Sequence, residues 1–235
     1  MKIAVINLSG NVGKTTVSAH LLKPRMGDAP IFSIESVNAD ASADGLEVEK
    51  MRGKKFGELQ EKLMTLDSAI IDVGSSNVED FLKFMQQYAG SHIEFDLFVI
   101  PVVKDKKQQG DTVKTIRALG ALGVPPERIV TVFNKVQVDE TVATDFEAFV
   151  GLEKLEHSFT LRHEAVIYEN EVFDLLKTVG KSLGEVTTDK TDYRAKLRTL
   201  TTDTEKENCV RMVAIQRLAV TANKNLDAVY SAIIQ

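Results

Sequence analysis

The chain has little that could brace it covalently. Cys209 is the single cysteine among 235 residues, which excludes an internal disulfide and any two-cysteine metal or iron–sulfur site within one subunit. Tryptophan is absent and aromatic residues make up 6%. Long hydrophobic runs are missing too. The longest uninterrupted apolar stretch, Leu97 to Val103, has seven residues, where a membrane-spanning helix needs about 20. Near the N-terminus Asn7, Ser9 and Asn11 break any stretch that could serve as a signal peptide. These absences lead to the expectation of a cytoplasmic protein of a reducing compartment, with no membrane span. A dominant charge sign is also lacking. The net charge is −5. From Lys181 to Gln235 there are nine basic and seven acidic residues, a local +2, so the first 180 residues carry −7. Any nucleic-acid contact must therefore come from a local patch.

With 43% hydrophobic and 27% charged residues the composition is that of a globular protein, and the length suits a single domain over residues 1–235. Short β-rich apolar runs alternate with helical patterns. Strands are expected at Lys2–Leu8, Pro30–Ser36, Ala69–Val73, Asp96–Val103, Arg128–Phe133 and Ser158–Leu161. Several are almost continuously apolar, as in a sheet covered on both faces. Val78, Phe81, Leu82 and Met85 mark a helix capped by Ser76 or Asn77. Val113, Ile116 and Leu119 mark a second, and Val142, Phe146, Phe149 and Val150 a third. The expected fold is α/β, a mainly parallel twisted sheet with helices on both faces. Its ligand site is expected beyond the carboxyl ends of the strands. No strand is expected after Asn170.

Ser9-Gly10-Asn11-Val12-Gly13-Lys14-Thr15-Thr16 lies between the first strand and a helix. Such a turn points several backbone N–H groups at one spot beside a helix N-terminus, where an anion is favoured. Gly13 allows close approach of phosphate. Lys14, expected to stand partly exposed, offers a cation to the β- and γ-phosphates, and the Thr15 hydroxyl can ligate Mg²⁺. The strict G-x-x-x-x-G-K-[ST] pattern fails at Leu8, which stands where the first glycine belongs, and Gly-Lys-Thr also arises by chance in βα turns. Asp72 closes the apolar run Ala69-Ile70-Ile71 and precedes Val73-Gly74. A carboxylate at a strand tip either caps the strand or holds Mg²⁺ through water, and in company with Lys14 and Thr15 the second reading is preferred.

These segments resemble the ParA/MinD class of P-loop ATPases, whose fingerprint reads K-G-G-x-G-K-T-T. The opening MKIAVINLSGNVGKTTVSAHLL most resembles the StbB-type plasmid stability proteins. The similarity covers roughly residues 1–176, with C-terminal helices expected over 177–235. It implies a P-loop NTPase fold, the cofactors ATP and Mg²⁺, and slow ATP hydrolysis. It also implies nucleotide-dependent association with a second copy, with non-specific DNA and with a small DNA-binding adaptor, in plasmid partition or stability. Phe98-Val99-Ile100-Pro101-Val102 resembles the family's VIPV segment. Val132-Phe133-Asn134-Lys135 resembles the strand end whose Asn reads adenine. The Asn134 amide can both donate and accept. The run continues Val136-Gln137, without the aspartate of an Asn-Lys-x-Asp motif that would favour guanine. Three positions depart from the pattern. Ser9 replaces the signature lysine that reaches across a dimer, Asn11 replaces the second glycine, and only Glu35 keeps a carboxylate after the second strand, where Val37 holds the other acidic position. Asp40 lies nearby, out of register. Glu35 is the candidate to orient the attacking water, with a strand-end cap as the alternative.

An ATP-dependent synthetase of the same superfamily and a non-hydrolysing conjugation accessory are the alternatives. The first needs a general base beside the phosphates, and His163, expected on a loop after a strand, is the one histidine placed to serve, although a loop residue near the base or ribose is the preferred reading of it. For DNA, Lys190 to Arg198 holds four basic residues and one acidic. If this stretch is helical, Lys190, Arg194 and Arg198 share a face, and related ATPases bind DNA through basic residues near their C-termini. A solvated helix face is the ordinary reading of such a run.

Overall fold

The computed structural model describes residues 1–34, 49–51 and 55–235. Among the described residues seven strands form one sheet in the order β3-β2-β4-β1-β5-β6-β7. They are β1 (Lys2–Val5), β2 (Ile31–Ile34), β3 (Glu49–Met51), β4 (Ala69–Val73), β5 (Leu97–Val102), β6 (Ile129–Val136) and β7 (Thr160–Tyr168). Every pairing is parallel.

Near-continuous apolar strands follow from this layering, because successive side chains face opposite layers and both layers are covered. In and just beyond β1, Ala4 and Ile6 join one core while Ile3 and Val5 join the other. The first layer holds α2 (Phe56–Thr65), α3 (Val78–Gln87), α4 (Lys106–Ala121), α5 (Val142–Asp145) and α6 (Glu147–Glu156), which contribute Phe56, Phe81, Ile116 and Phe149 among others. The second holds α1 (Lys14–Thr16), continued by a π-helical turn over Val17–Leu22, with α7 (Val172–Val179), α8 (Leu183–Thr188), α9 (Tyr193–Leu197) and α10 (Asp203–Ile233).

The long α10 buries Cys209, Met212, Ile215, Ala219, Ala222, Leu226 and Val229, a three-and-four spacing that makes one stripe. It covers the outer edge of β7. Asn225 accepts from the Tyr168 N–H at 3.1 Å and donates to the Val166 carbonyl at 2.8 Å, so a side chain completes pairing that a further strand would supply. Arg25 ties the same helix to the turn after α1. Its guanidinium donates to the His20 and Leu21 carbonyls at 2.9 and 3.0 Å, to Asn223 Oδ1 at 2.9 Å and to Asp227.

Four expectations need correction. β3 was not anticipated, being three residues long. β7 runs on to Tyr168, so His163 lies within a strand and not on a loop. The stripe from Val142 to Val150 is divided between α5 and α6, with a break at Phe146, whose ring packs on Phe133 at 4.7 Å. Finally, Lys190 to Arg198 is not one helix. Asp192 accepts from the N–H groups of Arg194 and Ala195 and so starts α9 at Tyr193, leaving Lys190 outside and Arg198 as the C-cap. The three-residue basic stripe does not form, although Lys190, Arg194, Lys196 and Arg198 are all exposed.

Arg25→Ala removes these bonds and leaves helix-end carbonyls and Asn223 without their partner. The expected cost is about 2 kcal/mol, a fall in Tm of roughly 4–8 °C, read by thermal denaturation against the wild type.

Candidate functional site

The loop between β1 and α1 is shaped by two left-handed residues, Asn11 at φ 58° and Gly13 at φ 90°. Asn11 stands where the resembling family has glycine, and asparagine is among the side chains that tolerate this region best. Gly13 admits no side chain. A Cβ there would lie 2.0 Å from Asn134 Nδ2.

Asn134 closes on the loop from β6, its Nδ2 donating to the Val12 carbonyl at 2.8 Å. From beneath, α4 holds the other end. Buried Asn7 donates to the Pro101 carbonyl at 2.9 Å and to Thr112 Oγ1 at 2.8 Å, and accepts from the Ser9 N–H at 2.8 Å. Thr115 Oγ1 accepts from the Leu8 N–H at 3.0 Å, and Gln108 donates to the Gly10 carbonyl at 2.8 Å. The polar side chains of α4 that interrupt its apolar stripe thus serve the loop. Lys14 is buried, in contrast to the expected exposure, and its ammonium donates to the carbonyls of Asn7 and Ser9 at 3.1 and 2.8 Å. Ser9 is itself buried.

Above the carboxyl ends of the strands opens a cavity of about 720 Å³, the size of a small-molecule site. Asn11, Gly13, Lys14, Thr15 and Thr16 line it together with Asp72, Gly74 and Asn134. Register pairs Asp72 with Val5, the last residue before the loop's approach. Gly10 and Val12 belong to the loop but not to the lining, and Val12 is fully buried. Thr15 and Asp72 line one space, and their oxygens are of the kind that holds Mg²⁺ with water and phosphate oxygens. Glu35, like Val37 and Asp40, lies outside the described residues. Lys190, Arg194 and Arg198 are not part of the cavity, nor is His163.

The far end of the cavity was not read from the sequence. Gln137, Tyr168, Glu169, Phe173, Asp174 and Lys177 line it, brought there by the tips of β6 and β7 and by α7. Only Gln137 carried a sequence signal, as the third residue after Asn134. Beneath Phe173 lies His20, ring to ring at 5.4 Å. His20 is almost fully buried, and its Nδ1 has no hydrogen-bond partner among the described residues. Burial, and secondarily the Lys177 charge, lowers its pKa to about 4.

The fold is shared with solved MinD cell-division proteins. The structure is similar to MinD of Aquifex aeolicus, with a TM-score of 0.54 and 12% identity over 91% of this chain and 94% of that one. MinD in the MinC:MinD cell-division complex of the same organism gives a TM-score of 0.52 and 13% identity, over 91% and 94%. The cell-division ATPase MinD of Pyrococcus furiosus gives a TM-score of 0.51 and 14% identity, over 92% and 98%. No protein-family model matches the sequence, and no curated protein matches it.

The depressed pKa of His20 makes the stability of the fold depend on pH. An unfolded chain protonates this residue near pH 6.5, while the folded one resists down to about 4. Between those values the unfolded state binds the extra proton, so stability falls as pH drops, by up to about 1.4 kcal/mol per pH unit. Denaturant titrations from pH 7 to 4 are expected to show this loss in the wild type and a flatter profile in His20→Leu.

Proposed function

We propose that this chain is a slow Mg-ATP hydrolase of the ParA type, acting in plasmid partition or stability through nucleotide-controlled association. The observation that carries the reading is the shared cavity of Lys14, Thr15, Asp72 and Asn134 at the tips of parallel strands. Phosphates bound there meet the N–H groups of the loop and the start of α1, with Lys14 turning from the Asn7 and Ser9 carbonyls to the β- and γ-oxygens. Thr15 and Asp72 hold Mg²⁺, which supplies charge neutralisation on the phosphates. Glu35 orients the attacking water. Asn134 meets the adenine edge with the parts of its amide not engaged by Val12.

Ser9 supplies no trans cation, so hydrolysis is slow or depends on a partner, since catalysis of phosphoryl transfer rests on positioning and electrostatics. The nucleotide state controls self-association and docking of a small DNA-binding adaptor in the cytoplasm. Lys190, Arg194 and Arg198 contact DNA phosphates without reading sequence.

Replacing Lys14 tests the first part. Lys14→Ala is expected to lower Mg-ATP affinity by at least a hundredfold while far-UV circular dichroism stays that of the wild type. Equal affinity in calorimetric titration defeats the phosphate-loop assignment.

For DNA, each phosphate neutralised contributes about −0.9 to the slope of log K against log salt. Charge removal at Arg194 and Arg198 together is expected to flatten that slope by about 2 and leave ATP binding unchanged. A salt titration with ATP present reads this directly, and an unaltered slope moves DNA contact to another surface or to the adaptor.

A further inference from the structure

Helix α4 has a second working face. Gln108, Thr112 and Thr115 point to the phosphate loop, while Lys106, Gln109, Gly110 and Val113, on the opposite side, border a separate groove of about 500 Å³. Its other wall is the end of α5 and the start of α6. The helices α4 and α6 run side by side in one direction, and an ion pair closes each end. Lys104 meets Asp145 at 3.2 Å, and Arg117 Nε donates to Glu156 Oε2 at 3.4 Å. Between those pairs α4 advances about 17 Å from Lys106 to Arg117, three helical turns.

The floor of the groove is apolar, formed by Val113, Phe149 and Leu152. Ala148, Leu152 and Leu155 carry that line out onto the surface, where Leu155 is 83% exposed. The walls differ in charge. Lys106 stands on one and Glu147 on the other, and neither has an ion-pair partner among the described residues. Lys106 is also the first residue of α4, where the helix dipole disfavours a cation and an incoming anion is favoured. Between the walls Gly110 is exposed, and a Cβ there would meet nothing within 4 Å. Packing inside this chain therefore gives no reason for a glycine that costs the helix about 1 kcal/mol relative to alanine. A backbone approaching from outside does.

We propose that this groove receives an amphipathic helix of a partner protein, about three turns long, with an apolar stripe, an acidic flank over Lys106 and a basic flank over Glu147. The length between the closing ion pairs, the unpaired charges of opposite sign and the missing side chain at position 110 each match one feature of such a helix. Recognition of this kind reads anchors at i, i+3, i+4 and i+7. It does not depend on the nucleotide reading of the first cavity.

The test is fluorescence anisotropy of a labelled synthetic helix, titrated with the full chain. The helix carries leucines at i, i+3, i+4 and i+7, glutamates on one flank and lysines on the other. Saturable binding to the wild type is expected. Gly110→Leu fills the groove and improves the helix, so it is expected to raise Tm by about 2–4 °C while weakening the peptide about tenfold or more. Gly120→Leu, at an equally open position outside the groove, is expected to raise Tm and leave the affinity unchanged. Lys106→Glu is expected to weaken the peptide roughly threefold, and a peptide with lysines on both flanks is expected to regain that loss. Absence of binding to the wild type overturns the proposal, as does equal affinity in wild type and Gly110→Leu. Self-association of the free chain that Gly110→Leu abolishes also overturns it, since the groove then belongs to a second copy.

Discussion

The contact between Asn134 and the turn Val12-Gly13 is the constraint around which the site is arranged. A buried amide from β6 reaches the loop after β1, two strands away in the sheet, with no room for a methyl group between them. That clearance demands glycine at position 13 for two separate reasons, the positive φ and the approach of Asn134. It also sets the height of the loop over the sheet, and so the distance between Lys14 at one end of the cavity and the β6 and β7 tips at the other. The amide cannot be replaced by an apolar group of the same shape without leaving the Val12 carbonyl buried and unmatched.

A second anchor acts from the opposite side. Asn7 uses both amide hydrogens and its carbonyl oxygen inside the fold, and Thr112 and Thr115 of α4 complete the set. Both threonines also donate back to carbonyls of their own helix, from Gln108 and Asp111, so each hydroxyl works as donor and acceptor at once. Buried polar groups satisfied to this degree fix one geometry, since any shift leaves several of them unpaired together. The loop is held rigid on α4 and β6, while Lys14 makes its bonds to loop carbonyls that a phosphate can replace.

The far face of the sheet connects that loop to the C-terminus. The π-helical turn after α1 is followed by a 3-10 turn that ends at Arg25, whose guanidinium holds α10, and α10 in turn covers the β7 edge through Asn225 and packs against α8 and α9. The C-terminal helices are thus built into the second core together with Leu21 and Leu22 of the π-helical turn and Val172 and Leu176 of α7. Glu185 caps α8 through Ser182, and its pKa is lowered by those bonds. Asp189 joins α8 to α9, and its hydrogen bonds from Thr191 and from the Tyr193 hydroxyl at 2.7 Å together hold its carboxyl below the ordinary carboxylate range. The basic residues of α9 therefore sit on a segment fixed to the body.

Sequence by itself determined the parallel α/β plan, the glycine-bearing turn between β1 and α1 and the place of Asp72 in β4, because each rests on local pattern. Strands buried on both faces read as continuous apolar runs, and Ala69–Val73 is found with those very limits. A turn whose chemistry needs glycine, lysine and hydroxyl in succession declares itself within eight residues. Patterns that depend on a partner elsewhere were not legible. Thr112 and Thr115 look like interruptions of an amphipathic helix until Asn7 and Leu8 are set against them. Lys190 to Arg198 reads as one basic stripe until the Asp192 cap divides it. Glu169 looks like any charged residue after a strand until the β6–β7 register brings it to Gln137, 32 residues away in sequence. Tertiary structure decided those roles, since a hydrogen bond depends on where two groups meet in space, and sequence periodicity reports only which face of its own element a residue occupies.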